Sequence, residues 1–495
     1  MTAPDALPLA PDFPAGLDWF NTGRPLALAD LRGKFVLLHF WRSGCTSAPH
    51  DLAVLAKLAR RFHEELVVIG AHAGRFDRER EPAEVRAAVL RHAIEHPVVN
   101  DARHALLCAY AARACPALAL IDPAGALLGV LPGEIDPDEL APMLERRIHE
   151  RARRAELDYA PLELASESAH APRCALKHPS KLCVASETTL FVADTGHHRV
   201  LQLEYEHRER RARIVRAFGG VESGWHDALG AAALFRSPRG LARRGRTLYV
   251  ADSGNHALRA IDLELGDVRT VAGTGARSAH RPRVAAAPDA TDLSAPSAVC
   301  VAGRNVFVAM AGSREVWALE DERALHRVAG NGRGALIDGF APQASFGAPS
   351  DLAGDGQRLY VVDAEASAIR VIELAGRPAV RTLVGRGMDA WGDQDGIGDD
   401  ARLQHPMGIA FDGSLLVADT YNHRVKRMDP STREVLTLAG TGERGHVDGP
   451  ADAARFAHPE GVAVRNQLVF VADTDNHALR VIDLRRHAVH TIEVV

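Results

Sequence analysis

From about residue 178 the chain repeats itself six times, and each copy opens with a proline: Pro179, Pro238, Pro296, Pro349, Pro406 and Pro459. The spacing is 53 to 59 residues. About ten residues after each proline comes a β-branched run that ends in a polar turn. These runs read LFVADTGHHRV, LYVADSGNHAL, VFVAMAGSREV, LYVVDAEASAI, LLVADTYNHRV and VFVADTDNHAL. A strand precedes each run, as in GIAFDG and GVAVRN, and two follow, as in LRVIDL and DVRTVAGTG. Four short strands at this period predict one blade of a β-propeller. One such sheet alone would leave two apolar faces wet, so the blades have to stack on one another.

Two devices recur. The first is Asp-Thr/Ser-x-Asn-His after the second strand. Asp194, Asp252, Asp419 and Asp473 are expected to accept N–H groups from the tight turn that follows. Asn255, Asn422 and Asn476 are expected to take the left-handed backbone there. The second is an apolar residue just before the proline: Phe235, Phe346, Leu403 and Phe456 are expected to wedge between blades. The Pro-x-Gly opening and the hydrophobic-Val-Ala-Asp-Thr-x-Asn-His-Arg core resemble NHL repeats, most closely in copies one, two, five and six. The resemblance covers residues 178–495 and implies a six-bladed propeller. Copies three and four depart, with Met310 in place of the Asp in copy three. Drift in solvent-facing turns and respecialisation for a partner both account for that departure.

The first 155 residues do not repeat. KFVLLHFW suits a buried parallel strand, DLAVLAKLARRFHEE an amphipathic helix and LVVIGAHAG a second strand. EVRAAVLRHAI and HALLCAYAARA read as helices around a short strand, HPVVND. ALALIDPAGALLGVLPG reads as a hairpin turning at Asp122 to Gly125, and DPDELAPMLERRIHERARR as a closing helix. Alternating strands and helices make an α/β domain. The order strand–Trp41–turn–Cys45–helix resembles the thioredoxin fold in its cytochrome-maturation and redoxin-like branch. That branch carries Trp-x-x-x-Cys-x-x-Cys, and here Ala48 replaces the second Cys. The resemblance implies a cis-proline facing Cys45, at Cys115-Pro116. A peroxiredoxin motif would need Pro and Thr where Leu38 and Arg42 stand.

The expected architecture is therefore multidomain: a thioredoxin-like domain at 1–155, a linker at 156–177 with LDYAPLEL extended against a blade, and a six-bladed propeller at 178–495. The combination resembles the NHL repeat-containing protein 2 family and bacterial relatives. That family has Cys-Cys-x-x-Cys where this chain has Gly44-Cys45-Thr46-Ser47-Ala48, and a His at the place of His50. Cys45 near a helix N-terminus favours a thiolate. Without a second motif thiol, Cys115 is the candidate resolving thiol, with Trp41 and Pro116 completing the site. The rival reading is a redox-dead domain in which both thiols pack.

Composition bounds the function. Fifty-nine basic against 64 acidic residues give −5, with no basic footprint for nucleic acid. No run of 18 apolar residues suggests a membrane span, and MTAPDALPLAPDFPAGLDWF lacks the pattern of a secretory signal. Six cysteines fit the cytoplasm. The leading expectation is a scaffold that binds a protein or small ligand on the propeller's loop face, without cofactor or metal. The alternatives are a thiol–disulfide oxidoreductase using Cys45 and Cys115, and a metal-dependent enzyme in the propeller channel. His178, His405 and His458 precede blade-opening prolines and are the metal candidates there. Asp393, Asp395 and Asp399 superficially resemble a calcium loop but read as an interblade loop. Arg208, Arg210, Arg211 and Arg213 read as a solvated edge, His197 and His198 as turn residues. Cys174, Cys183 and Cys300 lack metal-ligand spacing, and the last two are expected to pack.

Overall fold

The structure, a computed structural model, describes residues 7–170, 174–220, 222–278 and 287–495. Contacts divide the chain into two compact units, Met1–Arg173 and Cys174–Val495.

The first unit holds a six-stranded sheet. Its strands are β1 (Trp19–Phe20), β2 (Phe35–Trp41), β3 (Leu66–His72), β4 (Val98–Asn100), β5 (Ala117–Ile121) and β6 (Leu127–Pro132), in the order β1-β4-β3-β2-β5-β6. β2 is buried along its whole length, as an all-apolar central strand has to be. It runs parallel to β3 and antiparallel to β5. Helices α1 (Ala48–Arg61), α2 (Pro82–Arg91), α3 (Ala105–Ala109) and α4 (Pro137–Ala152) complete the unit. Leu55, Leu58 and Leu144 close one face of the sheet, and Leu106 and Tyr110 close the other. The β5–β6 hairpin turns where expected, with the Gly125 N–H bonded to the Asp122 carbonyl at 2.8 Å. The helix read from HALLCAYAARA is shorter than its apolar pattern, ending at Ala109.

The segment expected against a blade lies on the first unit instead. Leu157 and Leu162 find cover on the α/β core, while Tyr159 and Leu164 stay exposed. The Asp158 N–H bonds to the Gly33 carbonyl at 2.9 Å, and the Glu167 N–H to Asn21 Oδ1 at 2.9 Å.

In the second unit each repeat forms a four-stranded antiparallel sheet; in the first repeat the strands are Leu182–Val184, Thr189–Asp194, Arg199–Glu206 and Arg211–Phe218. The first strand of every repeat lies against the first strand of the next, and the sixth lies against the first. The region is thus propeller-like, with its innermost strands in a ring. The last strand of repeat one also pairs in parallel with the last strand of repeat six, Arg211 with Glu493 and Ala212 with Val494. Separate apolar clusters straddle neighbouring repeats. The wedge residues sit in them as expected, Phe235 between repeats one and two, Phe346 between three and four, Leu403 between four and five and Phe456 between five and six. Leu293 and Leu176 fill the same place at the other two junctions.

Candidate functional site

Cys45 lies in the turn between β2 and α1, three residues before the helix begins. It is 7% exposed, packed with Phe20, Trp41, Ala48 and Leu52. Its Sγ is 3.1 Å from Ser47 Oγ. Ser47 is the helix N-cap residue, yet its side chain caps no backbone N–H. Trp41 is buried edge-on against His72, with ring centres 4.8 Å apart.

A buried carboxylate organises this turn. Glu79 accepts from the Gly44 N–H at 2.8 Å, the Ser43 hydroxyl at 3.0 Å and the Arg75 N–H at 2.8 Å. Burial alone would raise its pKa, but His72 and these N–H donors outweigh burial and hold it below the ordinary value. His72 Nε2 accepts the Ser43 N–H at 3.2 Å, which requires a neutral ring at that nitrogen. Burial against only partial compensation by Glu79 brings His72 down to about 4.

The Cys115–Pro116 bond is cis. Burial pushes the Cys115 thiol up to about 12; Arg42 opposes this, while Cys45, Glu79 and Asp51 add to it. The charges of the Cys45 turn therefore act on Cys115. No disulfide joins the two residues.

In the ring the repeated Asp works differently from the expectation. Its first oxygen reaches back to an N–H two residues before the opening proline of its own repeat. Asp194 takes Lys177 at 2.7 Å, Asp252 takes Arg236 at 2.8 Å, Asp419 takes Gln404 at 2.8 Å and Asp473 takes Ala457 at 2.7 Å. Its second oxygen holds a buried cation in most repeats. Arg259 bridges Asp252 (3.0 Å) and Asp227 (2.6 Å), and Arg480 bridges Asp473 (2.8 Å) and Asp448 (2.6 Å). The guanidinium also lies over the wedge ring, 4.9 Å for Arg259 on Phe235 and 5.1 Å for Arg480 on Phe456. In repeat three Met310 replaces the Asp and Trp317 stands where the cation would; the indole N–H donates to buried Glu315 at 3.0 Å, and Glu315 pairs with Arg327 at 3.2 Å.

The left-handed turn residue is also not the Asn. The Asn side chain is committed to bridging, as when Asn422 donates to Asp419 and to the Gly392 carbonyl, both at 2.8 Å. Positive φ falls one residue later, at His198, His256, His423 and His477, and at Arg314 and Ser367 in the divergent copies. These residues tie each repeat to the next. His423 Nδ1, for example, accepts the His458 N–H at 3.2 Å, and Ser367 Oγ accepts the His405 N–H at 3.1 Å.

Charged side chains meet inside the ring. Lys181 Nζ, on repeat one, is 2.9 Å from Asp351 Oδ2, on repeat four. Arg239, on repeat two, pairs with Glu460, on repeat six. Residue-by-residue sequence reading missed these pairs.

Residues 9–129 match the model of the AhpC/TSA family, and residues 456–482 that of the NHL repeat. NHL repeat-containing protein 2 of Bos taurus is 34% identical over 527 residues, covering 98% of this chain and 72% of that protein. The chain belongs to the NHL repeat-containing protein 2 family. Protein SUPPRESSOR OF QUENCHING 1, chloroplastic, of Arabidopsis thaliana is 35% identical and covers 96% of this chain, which spans only 47% of that protein's length. Thiol-disulfide oxidoreductase ResA of Bacillus anthracis is 26% identical over 25% of this chain and 69% of its own.

The other candidates in this NHL repeat-containing protein 2 relative are engaged in packing or pairing. His405 stacks on Tyr421 at 4.7 Å, and the other neighbour of that ring is His458 at 5.0 Å. Tyr421 thus stands between two of the three proposed metal ligands, and His178 packs on His477 at 4.3 Å. Asp393 pairs with Arg424 and Lys426, Asp395 with Lys426, and Asp399 with Arg433. Arg211 and Arg213 pair with Glu493 and Glu204 on the outer strands. His197 pairs with Asp194. Burial raises Cys183 to about 11 and Cys300 to about 12, as for thiols that pack. Among the described residues, no helix is long and apolar enough to cross a membrane.

Proposed function

We propose that this chain is a recognition scaffold, a six-bladed NHL propeller whose loop faces bind a protein or small ligand, with a thioredoxin-like domain that runs no dithiol cycle. The Lys181–Asp351 and Arg239–Glu460 pairs carry the reading. They place paired charges inside the ring, which favours the loops as the surface for a ligand. A metal bound through Asp351 or Glu460 would first require that carboxylate to give up its cation. The buried Ala48 supports the second half, since a mixed disulfide on Cys45 meets no thiol at the usual place. Six cysteines in 495 residues are too few for a disulfide scaffold, which supports a reducing compartment such as the cytoplasm. The test is photo-crosslinking in cell extract from a probe at Val447, exposed in the loop that joins repeats five and six. A specific adduct should form equally in wild type and Cys45→Ser, and its loss in Cys45→Ser would count against a scaffold.

A second reading is favoured by the charge coupling of Cys115 to Cys45. The Cys45 thiolate would attack a substrate disulfide, forming a mixed disulfide and releasing one substrate thiolate. The Cys115 thiolate would then attack the Cys45 sulfur, release the second substrate thiolate and leave a Cys45–Cys115 disulfide. That second step needs Cys115 to ionise against the burial that holds it near 12, which is why it ranks second.

A further inference from the structure

The third residue of the Pro-x-Gly opening is Lys181, Gly240, Ala298, Asp351, Gly408 and Gly461 in the six repeats. The glycines are a packing requirement. A Cβ on Gly240 would lie 2.4 Å from Ala298 Cα, on Gly408 2.3 Å from the Glu460 carbonyl and on Gly461 2.3 Å from the Ser180 carbonyl. Each of these neighbours belongs to the next repeat in the ring. Two copies break the pattern with charges of opposite sign, and they stand three repeats apart.

The two charges meet. Lys181 Nζ donates to Asp351 Oδ2 at 2.9 Å, to the Glu460 carbonyl at 3.2 Å and to the Met407 carbonyl. Asp351 Oδ2 is held in place by the Ile409 N–H at 3.0 Å. The ammonium is thus surrounded by oxygens from repeats four, five and six while tethered to repeat one. Lys181 is 3% exposed. Three oxygens around one positive charge, two of them backbone carbonyls, make a cation site rather than a simple surface pair.

We infer that the ring encloses an oxygen-lined binding cage for a small monovalent cation, which this chain fills with its own lysine, so that a tethered ammonium locks repeat one to repeats four, five and six. Shortening that side chain should vacate the cage for a primary alkylammonium ion, which can make the same three N–H donations. An uncompensated Asp351 would remain until it does, and breaking a buried pair on one side is costly.

The experiment is a thermal melt of the full-length Lys181→Ala chain. Its Tm should fall by roughly 5–15 °C. n-Propylammonium chloride should restore at least half of the loss, saturably. Tetramethylammonium chloride, with no N–H to donate, should not. Lys181→Ala combined with Asp351→Asn should show no amine rescue. An unchanged Tm in Lys181→Ala, or equal effects of the two ammonium salts, would overturn the inference. If Lys181→Ala does not fold, reductive methylation of the wild type decides. Exposed Lys57 should be methylated in minutes and Lys181 only on unfolding; equal rates would overturn the cage.

Discussion

His477 Nδ1 accepts the backbone N–H of His178 at 3.1 Å and so joins the sixth repeat to the first. His198 does the same for Ser237 at 3.2 Å, and His256 for Ala295 at 3.1 Å. An imidazole nitrogen that accepts a hydrogen bond carries no proton, so these junctions hold only while the rings are neutral.

This predicts a pH signature. Burial lowers His477 to about 4 and lowers His198 as well. An unfolded His titrates near 6.5. Between the two values the unfolded state binds more protons, so the stabilisation is whole above about 6.5 and is lost as pH falls toward 4. Asp252 and Asp419, raised by burial to about 6 and about 7, titrate with the opposite sign. The readout is therefore the urea-midpoint gap between wild type and His477→Ala. It should be widest at pH 7.5 and close by pH 4; a gap independent of pH would refute the tether.

The buried arginines should be among the costliest single positions in the ring. Arg480→Met removes the cation from wholly buried Asp473 and leaves it only the Ala457 N–H and the Asn476 amide as partners. A loss of about 3–5 kcal/mol is expected in urea unfolding. Asp448→Asn, at a half-exposed partner of the same guanidinium, should cost about 1 kcal/mol.

The divergent repeats should prove repaired rather than weakened. In most repeats the hydroxyl after the Asp donates to the next opening proline's carbonyl, as Thr195 does to Pro238 at 2.7 Å and Thr474 to Pro179 at 2.8 Å. Copies three and four have Ala311 and Ala364 there. Ser297 and Ser350 make the bond instead, to Pro349 at 2.8 Å and Pro406 at 3.3 Å. Ser297→Ala should cost about 1 kcal/mol, and adding Ala311→Thr should return most of it in a double-mutant cycle.

Thiol reactivity should rank by environment. Cys108 is exposed, whereas burial lifts Cys115 and Cys300 to about 12. At pH 8 a thiol of pKa 12 is ionised roughly a thousand-fold less than an ordinary one. Peptide mapping after a short iodoacetamide pulse on the native chain should find Cys108 alkylated and Cys115 and Cys300 intact.

Much of the architecture was legible because it repeats. Six copies of one pattern expose the strands, the wedge residues and the turn by comparison within a single chain. The cis bond before Pro116 was legible only through the thioredoxin resemblance, which places such a proline just ahead of this strand. What escaped was how the devices connect. That Asp252 reaches the Arg236 N–H rather than its own turn depends on where two distant segments meet. Glu79 gave no signal, because its partners Ser43 and Gly44 lie 36 and 35 residues away. The Lys181–Asp351 pair did leave a trace, two opposite charges at the same place in a repeat that otherwise carries Gly or Ala. Reading it required treating the six prolines as one alignment.

The scaffold reading turns most directly on whether Cys45 supports turnover. The decisive measurement is the steady-state rate at which the full chain, with dithiothreitol as reductant, reduces insulin disulfides, compared among wild type, Cys45→Ser and Cys115→Ser. The predicted result is one rate for all three, equal to that of dithiothreitol alone. A wild-type rate well above that background, abolished by either substitution, would contradict it and establish Cys45 and Cys115 as a working pair.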